Sequence, residues 1–233
     1  MSKMRNKIIK NKKWYYLVVL ILFLITYSTL RFGFGHQLSQ VHHMYSRMED
    51  PNYLKNDWFV NNVDHFNSRT YFITGISLMN NLFNNVELTY FLLYILVFTS
   101  IFISFFYLAQ LFFKNEKKSF FISCLSFIAI TFSLDLTDLT KLVIIPSMIG
   151  WLFGLISLNF YFRKKKGWAF IMVGIALLFQ AVIGSLFFAM LTSDTFFRKP
   201  LINKSKVISL IKTIPFFIIS AFSIVPLTQI HHN

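Results

Sequence analysis

Acidic residues are scarce in this chain: nine Asp and Glu stand against 23 Lys and Arg in 233 residues, a formal net charge of +14. Cysteine occurs once, at Cys124 inside an apolar run. A lone cysteine excludes an intramolecular disulfide and reads as a small buried apolar residue. The sequence has no Gly-rich phosphate loop, no nucleophile elbow and no Ser–His–Asp order, which argues against P-loop NTPase and serine-hydrolase chemistry. It also has no internal repeat, no Gly/Ser linker and no low-complexity tail. Charged residues of both signs make up only 14% of the chain, against about 25% in an ordinary soluble domain.

Apolar side chains fill the space that charge leaves. The chain is 55% hydrophobic and 19% aromatic, with 30 phenylalanines. The runs 14–30, 88–113 and 207–227 match the roughly 20 residues that a helix needs to cross a hydrocarbon core. They lack the polar–apolar alternation of outer-membrane strands. The fold class expected is therefore all-α, a polytopic helical membrane protein. Its basic residues sit in short clusters flanking the apolar runs, as the positive-inside rule produces. That placement accounts for the net charge without nucleic acid as a partner.

The basic residues also orient the chain. Residues 1–13 hold Lys3, Arg5, Lys7, Lys10, Lys12 and Lys13 and no acid. The apolar run behind them ends without a small-x-small cleavage site, so it reads as an uncleaved first span and not as a signal peptide. The expected order is a cytoplasmic tail at 1–13, a first span at 14–30, a long outer loop at 31–85 and a second span at 86–113. A basic inner turn at 114–118 leads to a short third span at 119–133. A fourth span at 142–162 ends at Arg163, Lys164, Lys165 and Lys166, the strongest cytoplasmic stop signal. Segment 168–191 reads either as one span or as a hairpin of two short helices breaking near Gln180–Gly184, and a last span follows at 207–227 with Pro215 inside it. The positive-inside bias favours the hairpin, which leaves most Lys and Arg inside and most acids outside. The expectation is thus six or seven membrane helices, some short or re-entrant, in a prokaryotic plasma membrane with the N-terminus in the cytoplasm.

The first outer loop carries most of the chemically useful residues: His36, His42, His43, His65, Glu49, Asp50, Asp57 and Asp64. Within it Leu38, Val41, Tyr45 and Met48 make an apolar helical stripe, and His36, Gln40, His43, Arg47 and Asp50 make a polar ridge. Pro51 ends this amphipathic helix at about Asp50. A plain interfacial helix with a solvated face fits the same periodicity. His36 and His43 lie two turns apart, about 10 Å, which is far for one metal ion. Asp135 and Asp138 read as a helix start ahead of Lys141.

The run Glu49-Asp50-Pro51-Asn52-Tyr53-Leu54-Lys55-Asn56-Asp57-Trp58-Phe59 resembles the first-loop signature of GT-C type membrane glycosyltransferases and their uncharacterised prokaryotic relatives. There an Asp-Pro pair after the first span precedes a second Asp before an aromatic, and an Arg-aromatic stretch follows, here Arg69-Thr70-Tyr71-Phe72. The resemblance implies sugar transfer from a polyprenyl-phosphate donor at the outer membrane face. It makes Asp50 the catalytic base, with Glu49 second, because an acceptor hydroxyl must lose its proton as the glycosidic bond forms. It assigns Arg47, Arg69 and His43 to substrate, with Asp57 as a supporting or metal-binding carboxylate. For Asp57 a helix N-cap before Trp58 is an equal reading. The departing phosphate needs a cation, so a divalent metal is the cofactor left open. Such proteins have more spans than this chain shows, and where many carry a later His-Pro pair this sequence has Gln180. The end at Asn233, close behind a span, fits an N-terminal portion of a longer transferase. The competing expectations are a non-enzymatic membrane protein, such as a transporter fragment or partner subunit, and an inactive truncated remnant.

Overall fold

The computed structural model describes residues 70–132 and 144–197, together with Leu20, Ile21, Val41, His42, Tyr45, Asn52, Lys55, Asn56, Val207, Ile208, Ile211, Ile214 and Pro215. The described residues form helices and turns and no strand. Six helices follow in order: α1 Thr70–Phe83, α2 Val86–Phe113, α3 Glu116–Phe132, α4 Pro146–Phe162, α5 Lys166–Phe179 and α6 Ala181–Phe197.

Helix α1 lies in the stretch that reads as outer loop. Its Phe72, Ile73, Ile76 and Asn80 fall on one face, and all four are buried. The turn to α2 needs a left-handed residue, and Asn84 takes it at φ 47; asparagine is among the few side chains that do so readily. Asn85 then caps α2, its Oδ1 accepting from Leu88 N at 2.9 Å. Under the turn the fully buried Thr89 hydroxyl shares its one proton between Asn85 O at 2.8 Å and Asn80 Oδ1 at 3.1 Å. Thr89→Val keeps the shape and removes this donor from a buried acceptor. It is expected to destabilise the protein by about 1–3 kcal/mol, read as a lower melting temperature; an unchanged one would show that the pair contributes nothing.

Helix α2 has 28 residues, about 42 Å. Among the described residues it is the helix long and apolar enough to cross a membrane. One side is buried; Leu88, Leu96, Ile103 and Tyr107 form an exposed apolar stripe on the other. It ends at Lys114, left-handed at φ 49, whose N–H donates to Gln110 O. Asn115 restarts the chain as α3 by accepting from Lys118 N at 3.1 Å. The α2–α3 contact is built from phenylalanines. Phe98 meets Phe127 edge to face with centroids 4.6 Å apart, and Phe102 meets Phe120 and Phe127 in the same manner.

Helix α4 is the centre of the bundle and packs against α2, α5 and α6. It starts at Pro146 in the first helical position, where the missing N–H costs nothing. Ile144 and Ile145 ahead of it are buried outside the helix. A three-residue turn of Arg163, Lys164 and Lys165, with Lys164 at φ 64, reverses the chain into α5.

The backbone then breaks at Gln180, at φ −150 and ψ 102. Helix α6 turns back along α5, with Gly184 against the backbone of Leu177 and Phe188 against Phe170. It runs parallel to α4: Gly150 faces Ile183, Gly154 faces Phe187 and Tyr161 bonds Asp194, a constant offset of 33 positions. Helices α5 and α6 thus make a hairpin whose open end returns to the 163–166 turn. Gly150 and Gly154 on α4 form the small-xxx-small pair that lets the hairpin come close.

Val41 and Tyr45, both helical, belong to the apolar stripe expected in the first loop. Val41 is buried and Tyr45 packs against the same core as α2 and α4. That stripe therefore meets protein at these two positions.

Candidate functional site

The residues implied by the glycosyltransferase resemblance, Asp50, Glu49, Arg47, Asp57, Arg69 and His43, lie outside the described residues, as do Asp135 and Asp138. Of their neighbours, His42, Asn52, Lys55 and Asn56 are described singly. Three acids are described. Glu87 and Glu116 are exposed in the first turns of α2 and α3, where a carboxylate complements the helix dipole. The third, Asp194, is half-buried on α6. Among the described residues no cluster of His, Cys, Asp and Glu suits a metal ion.

Two polar arrangements stand out at the basic end of the bundle. In the first, the buried Tyr161 hydroxyl donates to the Asp194 carboxylate, and Lys166 Nζ lies 5.4 Å from the centre of the Tyr161 ring. Three helices meet there: α4 brings the tyrosine, α5 the cation and α6 the carboxylate. A carboxylate in an apolar bundle needs such partners to stay charged, and these close the open end of the hairpin.

The second is a groove of about 320 Å³ between α2 and α4, lined by Ser100, Ile103, Ser104, Tyr107, Ile156, Asn159, Phe160 and Arg163. The donors of its polar floor are internally bonded, while the buried Asn159 Oδ1 has no hydrogen-bond partner. Ser104 Oγ donates to Ser100 O at 2.8 Å. Asn159 Nδ2 donates to Ser104 O at 2.9 Å and to Leu155 O at 3.1 Å, tying α4 to α2. At the basic end the exposed Arg163 guanidinium lies 5.4 Å from the centre of the Tyr107 ring, a cation–π contact that fixes it over the groove mouth.

Asn159 and Arg163 went unnoticed as a pair in the sequence, because Asn159 sits in an apolar run and Arg163 reads as part of a stop signal. The available signal was a lone amide inside a long apolar helix, a placement that is costly unless the group has a structural or binding role. Compared with known family models, curated proteins and solved structures, the chain matches none.

Proposed function

We propose that the protein is a polytopic membrane glycosyltransferase of GT-C-like type, or the N-terminal part of one, drawing sugar from a polyprenyl-phosphate donor at the outer face. One structural observation supports the orientation. The two basic turns, 114–118 and 163–166, lie at the same end of the bundle, since Phe112 packs on Phe162 and Arg163 lies over Tyr107. The Asn84 turn that closes the first loop lies at the other end of the 28-residue α2. Two cationic turns on one side are the pattern of a cytoplasmic face. The Asn84 turn is then at the opposite end, on the side where this reading puts the first loop.

In this reading α2 crosses the bilayer and the 17-residue α4 packs against it. The α5–α6 hairpin enters and returns, its break at Gln180 packed on one side against Gly150 of α4, which gives part of the cover that broken helices need at depth. The chemistry rests on the loop sequence around Asp50. Arg47 and Arg69 neutralise the leaving phosphate, Asp57 supports the base, and a divalent cation assists if one binds.

The test uses membranes from cells that express the chain, supplied with a panel of polyprenyl-phosphate sugars and hydroxyl acceptors. Sugar transfer above control membranes is expected. Its absence across the panel, with the protein present and membrane-integrated, would overturn the catalytic reading. Recovery of the protein in the aqueous fraction without detergent would overturn the membrane reading as well.

A further inference from the structure

We propose that the groove between α2 and α4 holds an anionic phospholipid of the bilayer, one acyl chain along Ile103, Ile156 and Phe160 and the phosphate on Arg163. This rests on the bilayer reading above, but not on the transferase chemistry.

The groove changes character along its length. Its walls over Ile103, Ile156 and Phe160 are apolar, and it ends at Tyr107 and Arg163. A lipid changes in the same order, from hydrocarbon to glycerol to phosphate. Its volume of about 320 Å³ falls at the lower end of ligand pockets, roughly 300–1,000 Å³. That suits a single chain lying in a side-open furrow.

The charge at the mouth selects for an anion. Arg163 is exposed, and Lys114, Lys117, Lys118, Lys164 and Lys165 are exposed at the same end. Among the described residues the acids near that end are Glu116, exposed on the α3 turn, and Asp194, which accepts from Tyr161. The net field is therefore positive. Arg163 is also held in place by Tyr107, so its planar donors are presented to a phosphate oxygen with less freedom to lose.

The floor argues against a partner helix as occupant. The Ser104 hydroxyl and the Asn159 amide N–H groups are already bonded to backbone carbonyls. What the groove presents to an occupant is mainly apolar surface with one cation at its end, the Ser100 and Tyr107 hydroxyls being the minor polar part, and this matches a fatty chain with a charged head.

The experiment uses the full chain reconstituted in vesicles of equal phosphatidylglycerol and phosphatidylcholine, then released in mild detergent. Retained lipids are counted by native mass spectrometry. Wild-type protein is expected to keep phosphatidylglycerol in preference. Arg163→Gln should lower that retention about fivefold, the worth of one cation at a lipid surface. Lys164→Gln should leave it nearly unchanged. Ser100→Phe, which fills the furrow and leaves Arg163, should lower retention of both lipids; Ile103→Trp serves the same purpose if that variant does not fold. Equal loss in Lys164→Gln would mean a diffuse charge effect and overturn the site. So would wild-type retention in Arg163→Gln, or a second copy of the chain found in place of lipid. Protein that floats with the vesicles but shows no preference fails this inference alone. Protein that does not float fails the bilayer reading beneath it.

Discussion

Replacing Asp50 by Asn is expected to lower sugar transfer by about two to four orders of magnitude, the usual worth of a positioned general base. Asparagine keeps the shape of the carboxylate and cannot take the acceptor's proton. In the proposed site the donor would be held through its phosphate by Arg47 and Arg69, so its KM should stay nearly constant while kcat falls. Arg47→Ala and Arg69→Ala should do the reverse and raise KM. Glu49→Gln separates the two neighbouring acids. If its loss exceeds that of Asp50→Asn, the base is Glu49. Full activity in Asp50→Asn would remove the residue from the mechanism.

A single methyl group at Gly184 is expected to be the most damaging small change in the described bundle. A Cβ there would lie 2.6 Å from the Leu177 backbone N and 2.7 Å from its Cα. The neighbour is main chain of α5 and can yield only if the hairpin opens. At Gly154 the same methyl meets the Phe187 ring, with Cε2 at 2.1 Å, and a ring can turn aside. Gly75 has nothing within 4 Å of its would-be Cβ. Helix propensity alone predicts that alanine stabilises all three sites by up to about 1 kcal/mol. Packing reverses the sign where the space is filled, typically by about 1–3 kcal/mol. Melting temperatures in detergent should therefore rank Gly75→Ala above wild type, then Gly154→Ala, then Gly184→Ala. Adding Phe187→Leu should restore much of the loss at Gly154. Trimming Leu177 to Ala should restore little at Gly184, because the clash is with backbone. Equal stability of all three variants would show that the hairpin is not packed in this way.

The sequence carried these features unevenly, for physical reasons. Helix α2 is a continuous apolar run, and the same residues, Val86–Phe113, are helical in the structure. Asn85 and Lys114 mark its ends, one as a side-chain cap and the other as a left-handed residue. Helix α1 was hidden by composition: Asn80, Asn81, Asn84 and Asn85 make the stretch look like loop. Yet Phe72, Ile73, Ile76 and Asn80 follow the helical period, and that signal was there to be read. Apolar residues run on ahead of α4, and Pro146 marks where the helix itself begins. At 168–191 composition left one span and a hairpin both open. Both halves are apolar, and what separates them is Gln180 together with the close approach of Gly184 to Leu177. Composition does not register such contacts. The groove was the least legible feature, since its cation and its amide come from a stop signal and an apolar run, and only the pairing of α2 with α4 brings them together.

The α5–α6 hairpin also sets an order of events during synthesis. Its arms are 14 and 17 residues long, each short of the roughly 20 needed to cross a bilayer alone. In a membrane neither arm can settle by itself, and the exposed peptide groups at Gln180 need cover before they leave water. Gly150 of α4, which leaves the ribosome earlier, packs on Gln180 and gives part of that cover. If the bundle lies in a membrane, the hairpin would enter as a unit, packed against α4, which precedes it in the chain.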